Sequence, residues 1–165
     1  TGTQSWRTRL RRAVTYPATD KVVAYMEHTA QPALEKVAHE LEKAGLNVTL
    51  LRSVVPDCPV PQLDLGIALG EEKDFRFQVY PVKSDMPSFG SRRAGTPDTY
   101  YRLEVFDLSG SLGYDVFGYP EEALIDTVLD LVERHFEFIH MQGDLSGSSD
   151  LSDGAEPYRT WTEEE

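Results

Sequence analysis

The chain has 165 residues, 40% of them hydrophobic, with 10 Pro and 12 Gly. That composition supports one folded domain with tails and excludes both a disordered chain and two ordinary domains. The formal net charge of −12 at pH 7 argues against a nucleic-acid partner, since a phosphate backbone would be repelled by most of the surface.

Charge is unevenly spread: residues 1–12 hold four Arg and no acid, and residues 143–165 sum to −6, which leaves −10 between them. In the basic segment Trp6, Leu10, Ala13 and Val14 fall within one arc of a helical wheel. Arg7 and Arg9 flank that arc, and Arg11 and Arg12 point away from it. A short helix of this kind fits a membrane interface, with Trp at headgroup depth and Arg stems reaching outward; a solvated basic extension is the plainer alternative. Trp6, Arg7, Arg9, Leu10, Arg11 and Arg12 are therefore the candidate membrane or partner contacts within residues 1–18.

Thr19-Asp20 is a plausible cap for a long amphipathic helix whose apolar residues, from Val22 to Ala44, recur every three or four positions until Gly45 stops it. Pro32 predicts a kink there, or a break near Thr29 with a second segment starting at Pro32. Asn47 to Val55 is rich in β-branched and aliphatic residues and ends in the Pro56–Pro61 cluster. Leu63 to Leu69 and Phe75 to Tyr80 alternate apolar and polar residues across a turn at Gly70 to Asp74, as a hairpin does. A Ser/Gly/Pro-rich loop at residues 84–98 precedes a strand around Tyr101 to Val105, a turn at Asp107 to Gly113 and a last strand at Tyr114 to Tyr119. Pro120 suits the first position of a helix with Glu121 and Glu122 in its first turn and an apolar stripe from Leu124 to Ile139, ending at Gly143.

The order helix, about five strands, helix predicts an α+β fold, a mainly antiparallel sheet covered by two helices. Residues 19–142 form the globular part on this reading. Residues 143–165, acidic and without period, read as a disordered tail in which Tyr158 and Trp161 are available to anchor a short motif.

Chemistry finds little footing. His28 and His39 lie eleven residues apart, about 16 Å along a helix at 1.5 Å per residue, too far to share an ion. Asp126, Asp130, Glu133, Glu137 and His140 line the wet side of the last helix. Neither a nucleophile elbow nor a phosphate-binding glycine loop is present, so the expectation is a non-enzyme with no cofactor and no metal. Cys58 is the single cysteine and forms no internal disulfide. Tyr100, Tyr101, Tyr114, Phe117 and Tyr119 are a candidate aromatic contact surface, able in principle to cage a quaternary ammonium, although aromatics also suit strands on packing grounds. No apolar run approaches the ~18 residues of a spanning helix, and the start Thr-Gly-Thr without Met fits a domain excised from a longer chain.

Several stretches together, WRTRLRRAVTYP, AYMEHTAQPALEKVAHELEKAGLNVTL, FRFQVYPV and YYRLEVFDLSGSLGYDVFGYPEEALIDTVLDLVERHFEFIH, resemble the cytoplasmic C-terminal extension of BetT-type choline transporters in the betaine/carnitine/choline transporter family. The resemblance covers about residues 6–142. It implies a sodium- or proton-coupled trimeric transporter of twelve spanning helices whose uptake of choline feeds glycine betaine synthesis. The family's substrate site is a tryptophan box in membrane helices that this chain lacks, so no transport residue carries over. What is expected instead is an osmosensing, autoinhibitory domain at the cytoplasmic face of the inner membrane. Its partners would be the transporter's membrane part, a neighbouring protomer and anionic inner-leaflet lipids. The rival expectation is a free-standing cytoplasmic module that binds a small ligand through the strand aromatics.

Overall fold

The computed structural model describes residues 5–14, 16–87 and 95–147, with Arg12 and residues 144–147 described by backbone alone. The elements in chain order are α1 (Trp6–Ala13), α2 (Thr19–Tyr25), a π-helical turn (Met26–Ala30), α3 (Gln31–Lys43), β1 (Asn47–Ser53), β2 (Gln62–Ala68), β3 (Phe75–Asp85), β4 (Thr99–Asp107), β5 (Gly110–Asp115) and α4 (Glu121–Gly147). The five strands form one sheet in sequential order, each antiparallel to the next. This is the expected α+β class.

Pro32 acts upstream of itself. It has no N–H to donate to the His28 carbonyl, and its ring crowds that carbonyl. The helix widens instead of breaking: the Gln31 N–H donates to the Met26 carbonyl, five residues back, while the backbone stays right-handed through Tyr25, Ala30 and Gln31. The expected break near Thr29 is thus a π turn that keeps Met26 and Ala30 in the core. Gly45, at φ 90°, ends α3: its N–H donates to the Glu42 carbonyl at 2.9 Å and the Leu46 N–H to the Leu41 carbonyl at 3.1 Å. These two bonds satisfy carbonyls the helix leaves open.

One sheet face is buried. Leu63, Leu65 and Ile67 of β2, Phe75, Phe77 and Val79 of β3, and Leu103 and Val105 of β4 meet Val22, Met26, Leu34 and Val37 beneath the N-terminal helices and Leu124, Val128 and Val132 of α4. The other face carries the alternate residues. There Asp64 accepts from Gln78 Nε2 at 2.6 Å and pairs with Arg76 at 3.6 Å, and Tyr80 packs edge-on against Phe106.

The end of the sheet departs from the sequence reading. The expected Asp107 to Gly113 turn is only Leu108–Ser109, because Asp107 Oδ1 accepts the Ser109 N–H at 2.7 Å and closes it early. Gly110 and Gly113 sit in β5 at φ 122° and 77°, so the strand starts at Gly110 and carries a register shift opposite Glu104 and Phe106. The expected last strand, Tyr114 to Tyr119, holds only the end of β5. The rest is a turn in which the Tyr119 N–H donates to the Val116 carbonyl at 3.0 Å. Helix α4 likewise passes Gly143 and runs to Gly147, the last described residue. The tail from residue 148 onward, with Tyr158 and Trp161, lies outside the described residues, as does 88–94 of the loop between β3 and β4.

Candidate functional site

Helix α1 is capped from within its own sequence. The Thr8 N–H donates to Ser5 Oγ at 3.4 Å, and the two hydroxyls lie 3.1 Å apart, which is the local preference of Ser before a first turn. The described side chains of the helix do not enter the core: Trp6 is 64% exposed, Leu10 56% and the following Val14 55%. The Arg7 guanidinium lies 4.6 Å from the centre of the Trp6 ring, within cation–π range. Arg11 is exposed, and Arg12 is placed in the helix by its backbone. One side of this helix is therefore an apolar stripe bordered by cations, as the wheel predicts.

Arg9 turns elsewhere. It and Ala13 form one wall of a cleft of about 330 Å³ between the end of α1 and the β4–β5 side of the body. Tyr16 follows α1 and packs edge-on against Tyr100, with ring centres 5.1 Å apart and planes at 77°. Tyr100 and Arg102 alternate with Tyr101 and Leu103 along β4 and so face away from the covering helices. Asp115 and Tyr119 complete the lining. Asp115 is held at the wall because its Oδ1 accepts the N–H groups of Leu103 at 3.0 Å and Phe117 at 2.9 Å.

The five strand aromatics do not share one surface. Tyr100 and Tyr119 line this cleft. Tyr101 packs on the core beside Cys58, and burial first, then the neighbouring thiol, pushes its phenol above the ordinary value. Tyr114 lies near Thr127, Asp130 and Arg134 of α4; burial is again the main cause of its raised phenol, with Tyr119 adding and Arg134 opposing. Phe117 packs on Tyr25 at 5.4 Å, and the Tyr25 hydroxyl donates to the Tyr119 carbonyl at 2.9 Å.

Tyr16, Arg102 and Asp115 were not singled out in the sequence, and only tertiary contact brings them beside Arg9. Asp115 had a local signal, an Asp two residues ahead of the N–H it caps. Among the described residues no group of three or more His, Cys, Asp or Glu is placed to hold a metal ion, and no helix is long and apolar enough to cross a membrane. Glu35 and His39, and the Asp126 to His140 row, are exposed helix faces.

No protein-family profile matches the chain. It is 40% identical over 147 residues to a high-affinity choline transport protein of Escherichia coli, which covers 88% of this chain and 22% of that protein. It is 34% identical over 148 residues to an osmo-dependent choline transporter of Acinetobacter baylyi, and 30% identical over 148 residues to a glycine betaine transporter of the same organism. In each case the chain spans 22% of the relative's length. The chain is thus homologous to one segment of choline and glycine betaine transporters.

Proposed function

We propose, for a chain homologous to one segment of choline and glycine betaine transporters, that it is the cytoplasmic regulatory part of such a transporter and sets uptake by osmotic conditions. The observation that carries this reading is the match itself: 40% identity over 88% of this chain but only 22% of a choline transport protein, in a stretch with no described helix fit to span a membrane. The transport path then belongs to the other part of such a protein. That one relative is an osmo-dependent choline transporter supports the osmotic role.

The physics of α1 supplies a mechanism. It sits at the inner membrane surface, where the positive-inside rule places arginines. Each Arg there contributes about 1 kcal/mol over a Debye length of roughly 8 Å at physiological salt. The body and tail are acidic, so contacts among lipid, α1, the body and the membrane part or a neighbouring protomer weaken as internal salt rises. Those contacts hold transport low at low osmolality, and hyperosmotic shrinkage releases it.

The test is choline uptake by the full-length transporter carrying this segment, with and without residues 19–147, across a range of external osmolality. Deletion is expected to raise uptake at low osmolality and flatten its rise. An unchanged activation curve overturns the proposal.

A further inference from the structure

The cleft between α1 and the β4–β5 side of the body has a chemistry that the regulatory reading leaves unused. Arg102 Nε is buried and makes no hydrogen bond, and its ion-pair partner Glu104 Oε1, at 3.8 Å, is beyond hydrogen-bond reach. A buried cationic donor in that state calls for an acceptor. Beside it, Tyr16 and Tyr100 meet at 77° with centres 5.1 Å apart, two walls of an aromatic corner whose ring faces attract a cation, a quaternary ammonium above all.

Charge decides between ligand classes. Arg9 and Arg102 in the lining are offset by Asp115 at the wall and by Glu104, which lies outside the lining but forms an ion pair with Arg102 at 3.8 Å. With two positive and two negative groups the cleft has no net pull on a simple anion or a simple cation. A ligand carrying both charges gains from each pole. The volume of about 330 Å³ admits a small solute and excludes a dinucleotide-sized one. We infer that this cleft binds a small zwitterion joining a quaternary ammonium to a carboxylate, with the carboxylate on Arg102 and the ammonium against Tyr16 and Tyr100.

Because one wall belongs to α1 and the other to the body, occupancy ties the basic helix to the domain. Accumulated zwitterionic solute would thereby act on the same element that the salt-dependent contacts engage. That regulatory consequence rests on the function proposed above, whereas binding itself does not.

The experiment is calorimetric titration of the 165-residue chain with glycine betaine, choline, acetate and inorganic phosphate as separate probes. Glycine betaine is expected to bind with a Kd of about 1 mM, well inside the ceiling that its few atoms set. Choline and acetate, each bearing one pole, should bind about tenfold more weakly or not at all. R102M should weaken glycine betaine about tenfold with an unchanged circular dichroism spectrum. Y100A should weaken it, and Y100F, which keeps the ring face, should restore it. No heat with glycine betaine, equal affinity for choline, or tighter binding of phosphate would each overturn the inference. Failure here leaves the osmotic deletion experiment unaffected, so the two readings fall separately.

Discussion

Helices α1 and α3 follow the same apolar period and meet opposite fates. In α3 (Gln31–Lys43) the stripe of Ala33, Leu34, Val37 and Ala38 is buried. In α1 (Trp6–Ala13) the stripe beginning at Trp6 and Leu10 stays in solvent. The period fixes which side chains share a face, and the rest of the chain decides whether that face is covered. For α3 the sheet supplies the cover. For α1 the side chains of Trp6, Leu10 and Val14 stay more than half exposed, and Arg7 lies against the Trp6 ring.

The largest expected effect tests that contrast directly. Leu34→Ala removes a fully buried side chain and should cost about 3 kcal/mol of unfolding free energy, read from urea titration followed by circular dichroism. Leu10→Ala, at a residue 56% exposed, should change it by less than about 0.5 kcal/mol. Equal costs would make α1 a core helix and remove the reason to seek its partner elsewhere.

The second expected effect concerns that partner. Arg7→Gln with Arg11→Gln removes two cations from α1 and leaves Arg9 at the cleft. At about 1 kcal/mol each, affinity for vesicles containing anionic phosphatidylglycerol should fall about 30-fold at low salt. The parent chain should lose affinity similarly as salt is raised, because exposed charges are screened. Equal binding to vesicles of pure phosphatidylcholine would show that the arginines do not read lipid charge.

Much of this contrast is legible in the sequence. The α1 stripe, the core faces of α2 and α3, the alternation of β2 and β3 and the stripe of α4 all follow from repeats of 3.6 or 2, which a sequence displays openly. What escaped depends on single bonds or on distant contacts. Gly110 and Gly113 look like turn residues, and only the Asp107 to Ser109 hydrogen bond shows that the turn has already closed. Pro32 announces a disturbance, but the choice between a break and a π turn rests on keeping Met26 and Ala30 buried. Tyr100 and Tyr119 stand out as strand aromatics, yet nothing local says that Tyr16 will meet Tyr100 across 84 residues of chain or that Tyr101 and Tyr114 will turn to other neighbours.

The smallest expected effect separates the body from α1 by pH. The Tyr114 phenol is raised above its ordinary value of 10.0, chiefly by burial, so the folded chain keeps its proton where the unfolded chain has begun to lose it. Stability from this group is complete below about pH 10 and is lost as pH rises through the folded value. Tyr101, raised mainly by burial as well, acts in the same direction. Urea midpoints of the parent chain should therefore fall above pH 10. Tyr114→Phe should fall less steeply over pH 10 to 11, and the pair Tyr101→Phe with Tyr114→Phe less steeply again. Lysines titrate in this range too, but they are common to all three chains and cancel in the comparison. Parallel declines would show that neither phenol is held by the packing against Cys58 or α4. A shallower decline in the variants, beside vesicle affinity unchanged by either tyrosine substitution, would place the alkaline sensitivity in the folded body and leave the basic helix to respond to salt alone.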